Sequence, residues 1–144
     1  MPKMIFINLP VTELDRSVAF YEAIGGTKEP KFSNEQAAMI VLSETIYVML
    51  LTQPFYSTFT GKPIADAHKS SQVFLALSAE STDEVDLTVD KAAKAGGRGD
   101  PAPKQDMGGL MYSRSFEDPH GHHWEVLWMD ENAAEQGSSA FEEA

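Results

Sequence analysis

Asp118-Pro-His-Gly-His-His-Trp-Glu-Val-Leu-Trp-Met-Asp130 is the stretch on which the reading of this chain turns. It holds three of the four histidines and both tryptophans, and it sets a glutamate inside an apolar run. Pro119 and Gly121 signal a turn, and the apolar run after it reads as a strand. Alternation then puts His123, Glu125 and Leu127 on one face, and His122, Trp124, Val126 and Trp128 on the other. The tryptophans are expected to pack toward helices. Polar groups thus gather where a sheet edge meets solvent, and the first question is whether these histidines bind a metal.

Working outward, residues 110–116 form another strand and residues 99–106 a weak, Pro-broken edge strand. Before them, residues 73–79 read as a strand, and Ser81-x-x-Glu84 as a helix-capping box. Val85, Val89 and Ala92 give a helical stripe that Gly96-Gly97 stops. The first part of the chain has the same order. A strand over residues 4–11 precedes a capping pair, Thr12-x-x-Asp15, and a stripe of Leu14, Val18 and Tyr21, widened by Phe20 and Ile24. Gly25-Gly26 ends that helix, and strands over 27–32, 36–42 and 45–52 follow. Phe6-Ile-Asn-Leu-Pro-Val11 can be set against Phe74-Leu-Ala-Leu-Ser-Ala79.

The order strand-helix-strand-strand-strand is therefore written twice. The expected fold is α+β: two βαβββ modules, about 1–52 and 72–130, in one domain over residues 1–130. One helix covers only one face of a four-stranded sheet, so two modules sharing a curved mixed sheet would leave a concave pocket on the other face. Residues 53–71 are polar and Gly/Pro-marked and read as a linker, a lid, or both. The segment 131–144, with four glutamates and no Lys or Arg, reads as an acidic disordered tail.

Composition narrows the function classes. At 144 residues with 42% apolar content the chain can bury one core. No run of 18 apolar residues occurs, so no membrane span is expected. The N-terminus lacks the pattern of a secretory signal, and a cytoplasmic setting is expected. The absence of cysteine rules out disulfides, thiolate zinc sites and a cysteine nucleophile. The formal charge of −11 argues against nucleic acid and anionic membranes and would attract a cationic ligand.

Two motifs carry a resemblance to a known family: Val11-x-x-Leu14-x-x-Ser17-x-x-Phe20-Tyr21 after the first strand, and Asp118-Pro-x-Gly121 before the strand that carries Trp124-Glu125. With the repeat between them, the chain resembles the vicinal oxygen chelate superfamily of glyoxalase I, bleomycin-binding proteins, fosfomycin-resistance enzymes and extradiol dioxygenases. Asn8-Leu9-Pro10-Val11 with Gly121-His122-x-Trp124-Glu125 is closest to a glyoxalase-like subgroup, often labelled lactoylglutathione-lyase-like. The resemblance implies a homodimer. It also implies a divalent metal held by one ligand from each of four strands, at positions that fall on Phe6, Leu50, Phe74 and Glu125.

Of these four, Glu125 is the one with a metal-binding side chain. A catalytic divalent ion needs about three protein ligands, so the family's metal site is expected to be absent and no cofactor is expected, with a divalent ion in some other arrangement left as the alternative. Phe6, Leu50 and Phe74 would make an apolar floor for a small organic ligand. Glu125 and His123 are the candidate acid-base or anchoring pair. Asn8, on the face of Phe6, offers a donor and an acceptor. Tyr56, in the long connection, is a candidate cap on a ligand, and Arg114 a candidate pocket residue whose parity no motif fixes. His120 and His122 read as surface or hydrogen-bonded histidines, and nothing in the spacing requires His68. Two functions follow: a metal-free module that binds a cationic or aromatic compound, or a glyoxalase-like lyase or isomerase that uses Glu125 as base or metal ligand.

Overall fold

A computed structural model describes residues 2–137. The chain forms two compact units. The first runs to Ser70 and includes Pro119–His122; the second holds Ser71–Asp118 and resumes at His123.

In the first unit, β1 (Ile5–Val11) leads into α1 (Leu14–Ala23), followed by β2 (Thr27–Glu29), β3 (Ala37–Val41) and β4 (Ile46–Thr52). The sheet order is β1-β4-β3-β2, with β1 parallel to β4 and the other pairs antiparallel. The apolar stripe of α1 buries Val18, Phe20 and Tyr21 over Ile40, Val48 and Leu50. Full burial of such side chains contributes roughly 1.5–3 kcal/mol each. At the end of α1 the chain turns at Gly25, φ +115°, and Gly26 lies so close to Ile40 and the Tyr21 carbonyl that no Cβ fits.

Two local expectations are corrected here. Thr12-x-x-Asp15 does not cap α1: the N-cap position is Glu13, without a side-chain cap. The strand expected over 27–32 stops at Glu29, because Pro30 lacks an N–H and opens a 3-10 turn, Pro30–Phe32. Residues 53–71 begin with a helical turn, α2 (Gln53–Tyr56), that packs on β1 and β4.

The second unit repeats the topology. β5 (Leu75–Ser78), α3 (Thr82–Lys94), β6 (Arg98–Gly99), β7 (Gln105–Asp106), β8 (Met111–Glu117) and β9 (His123–Met129) follow in order. The sheet runs β5-β9-β8-β6, with β5 parallel to β9, and β7 also pairs with β8. Pro101 and Pro103 break the edge strand into β6 and β7. The capping box forms: Ser81 Oγ accepts the Glu84 N–H at 3.1 Å, and the Glu84 carboxylate accepts from Glu80 N. Val85, Val89 and Ala92 of α3 are fully buried, as are Phe116 and Trp124, whose rings stack at 6.3 Å.

The strands hydrogen-bond as two mixed sheets, one per unit, in the expected α+β architecture of two βαβββ modules. The acidic tail is corrected in part. Residues Glu131–Gln136 form a short helix, α4, because Asp130 caps it by accepting from Asn132 N and Ala133 is buried. The rest of that segment, from residue 138, lies outside the described residues.

Candidate functional site

Strand register fixes which side chains share a face. In the first sheet Phe6 pairs with Tyr47 and Asn8 with Met49. In the second, Leu75 pairs with Trp124 and Ala76 with Glu125. One step back from Leu75, Phe74 lies over His123, with ring centroids 5.3 Å apart. Phe6 and Tyr47 stack at 5.0 Å. The repeat thus sets a pair of rings at the same place in both sheets, and Met49 is the first sheet's counterpart of Glu125.

That corrects the position given to Leu50. It pairs with Leu9 and Ala38, is fully buried, and faces α1 rather than sharing the face of Phe6 and Asn8. The slip is one residue, which in a strand reverses the face. Tyr47-x-Met49 set against His123-x-Glu125 was the sequence signal for the correct register, a ring two residues ahead in both strands.

On the second sheet, the face turned away from α3 carries Phe74, Ala76, His123, Glu125, Ser113 and Ser115. Phe74 is 56% exposed. Glu125 and His123 are half-buried. Among the described residues no hydrogen bond or ion pair engages the Glu125 carboxylate or the ring nitrogens of His123. A half-buried carboxylate without a partner loses solvation that nothing in the protein returns. Ser115, beside Glu125, is occupied: its Oγ accepts the Ala102 N–H. Asn8, on the first unit, is exposed and donates to the Phe6 carbonyl at 3.0 Å. Tyr56 ends α2 and is half-buried.

Arg114 takes the opposite parity. It pairs with Val126, on the α3 side, and so lies off the Glu125 face. Its guanidinium holds Asp100 through two bonds, Nε to Oδ1 at 3.0 Å and Nη2 to Oδ2 at 2.7 Å, and reaches Asp86 at 3.0 Å. Asp90 lies at 3.4 Å. The Tyr112 hydroxyl donates to Asp86 at 2.6 Å. This bond, and then Arg114, holds the Asp86 carboxyl below its usual range; Arg114 does the same for Asp100. The bond to Asp86 pushes the Tyr112 phenol up to about 12. Arg114 is a clamp between β8, α3 and the segment after β6.

The histidines of the turn belong to the first unit. His120 Nε2 accepts the Glu13 N–H at 3.2 Å and lies 3.1 Å from the Thr12 hydroxyl, while Nδ1 lies 3.0 Å from Ser17 Oγ. The ring thus supplies the cap that α1 lacks locally. His122 Nε2 donates to the Pro10 carbonyl at 2.9 Å. Gly121 has φ +88°, and a Cβ there would sit 2.6 Å from His68 N and 2.8 Å from the Ala67 carbonyl carbon, so the turn accepts only glycine. Sequence reasoning missed the capping role of His120, which joins residues 107 positions apart.

A divalent ion would need hard oxygen or nitrogen donors at these strand positions. On the first unit the strand positions in register are Phe6 and Met49, neither with a hard donor. On the second they are Phe74 and Glu125. Among the described residues no group of three His, Cys, Asp or Glu is placed to hold a metal. These residues do not fit the family's ligand set.

Paired βαβββ units of this topology, with a carboxylate on the last strand, define a class. The model of the Glyoxalase/Bleomycin resistance protein/Dioxygenase superfamily matches residues 3–126, and the chain belongs to that superfamily. Among solved structures it is similar to the hypothetical protein SA1046 from S. aureus, at 25% identity and TM-score 0.72, over 89% of this chain and 95% of that one. A glyoxalase/bleomycin resistance protein/dioxygenase family enzyme from Burkholderia phytofirmans PsJN shares the fold at 14% identity and TM-score 0.74, over 90% of this chain and 100% of that one. So does the fosfomycin resistance protein FosX from Mesorhizobium loti, at 14% identity and TM-score 0.66, over 93% and 98%. No curated protein matches the chain.

Proposed function

We propose that this protein binds a small organic cation with a flat apolar group on the face of its second sheet that carries Phe74 and Glu125, without the family's four-ligand metal. The observation that carries the reading is a Glu125 carboxylate that no described residue engages, on the same sheet face as the exposed Phe74 ring. Phe74 and His123 supply a ring platform, worth roughly 0.5–2 kcal/mol for a cation placed over it. Glu125 supplies the counter-charge, and the net charge of −11 favours approach of a cation. Phe6, Tyr47 and Asn8 present the equivalent surface on the first sheet.

The expected homodimer remains part of this proposal. β1 and β5 are edge strands, and Met4, Ile5 and Val73 beside them are exposed. An exposed apolar edge needs a cover. Light scattering across a concentration series should give twice the chain mass. A constant monomer mass would remove this part of the reading.

The binding proposal is tested by titrating chelator-treated protein with a panel of aromatic amines and quaternary ammonium compounds. Binding should weaken at least tenfold in Phe74→Ala and in Glu125→Gln. Turnover of an α-keto aldehyde hemithioacetal that appears only with added metal would favour the lyase reading instead.

A further inference from the structure

The first unit holds a second, separate recess. It is a cleft of about 460 Å³ between the N-terminal turn of α1, the segment around His68 and the turn at His120. That volume is within the range of small-molecule sites. Its frame is fixed on two sides. His120 is tied to Thr12, Glu13 and Ser17, and Gly121 lies against the backbone of Ala67 and His68.

The frame's polar groups are spent on the fold, but other groups lining the cleft are not. Arg16 uses only Nη1, paired with Glu13 at 3.1 Å. The Asp66 carboxylate accepts through Oδ1 from His68 N, at 3.0 Å. Among the described residues the His68 ring, the Gln53 carboxamide, Asp66 Oδ2 and the remaining Arg16 nitrogens have no partner. The lining of the cleft therefore includes both a cationic edge and an anionic oxygen that no described residue engages. A simple anion would meet Glu13 and Asp66 on a chain of net charge −11. A simple cation would meet Arg16. A molecule with both charges answers both walls.

We infer that this cleft binds a compact zwitterion, a free α-amino acid, with its carboxylate on Arg16 and its ammonium on Asp66. His68 and Gln53 stand where they can select among side chains. The site uses neither Glu125 nor Phe74, so it stands apart from the function proposed above.

Amide chemical-shift mapping of the whole chain, titrated in turn with each common α-amino acid, tests this. At least one should give saturable shifts centred on Arg16, Gln53 and His68. Arg16→Gln and Asp66→Asn should each raise its Kd at least tenfold, and Phe74→Ala should leave it unchanged. The matching amine without the carboxylate should fail to bind the unmodified protein, a check that needs no variant to fold. Absence of saturable shifts with every amino acid, shifts centred on another region, or equal binding of amine and amino acid would overturn the assignment.

Discussion

Glu125 and Arg114 sit on adjacent strands and face opposite ways, and that difference sets what each does. Arg114 is 14% exposed at its side chain and holds carboxylates that are 41–61% exposed. Charge-assisted hydrogen bonds contribute about 1.5–3 kcal/mol each, less where solvent screens them. Arg114→Ala should therefore cost about 2 kcal/mol in urea unfolding. Glu125→Gln should change stability by less than about 1 kcal/mol, since no protein partner is lost. If the two variants lost equal stability, the assignment of one as a clamp and the other as an open group would fail. Gly121→Ala should cost about 2 kcal/mol or more, because it combines positive φ with backbone contact.

At the scale of elements, the two helices are started differently. α3 carries its own cap in Ser81, and Ser81→Ala should cost about 1 kcal/mol by thermal unfolding. α1 takes its cap from His120 on a distant turn, so His120→Ala should lower amide protection in the first turn of α1 while α3 keeps its own. Equal loss in both helices would contradict this. The same contrast explains what the sequence made legible. Helix stripes, glycine stops, the Ser81 box and the repeated order of elements are local patterns, and they could be read directly. Thr12 looked like a cap because its type and spacing suit one, but a tertiary contact took its hydroxyl. Leu50 was misplaced because the strand carries an almost unbroken apolar run from Ile46 to Leu51, which gives alternation nothing to lock onto. His123 and Glu125 were legible on one face because polar and apolar residues alternate there. Arg114 was not, since both faces of β8 carry polar groups.

For the whole molecule, the clamp makes stability depend on pH at both ends. Asp86 and Asp100 have folded values below 3.8, so their contribution is complete above that value and is lost as pH falls through the lower folded values. Tyr112 runs the other way. Its stabilising share is complete below its ordinary value of 10.0 and is lost as pH rises toward about 12. Stability against unfolding should fall off at both low and high pH, and Arg114→Ala should flatten the acid limb. Between these limits the chain is an acidic scaffold whose second sheet carries the Glu125 carboxylate and the exposed Phe74 ring on one face, and whose described residues hold no group of three metal donors. The most direct test is a calorimetric titration of chelator-treated protein with an aromatic quaternary ammonium compound, run beside Glu125→Gln. Saturable binding with no metal present, weakened at least tenfold in the variant, is the expected result. Binding that appears only after a divalent ion is restored, or that Glu125→Gln leaves unchanged, would contradict the account.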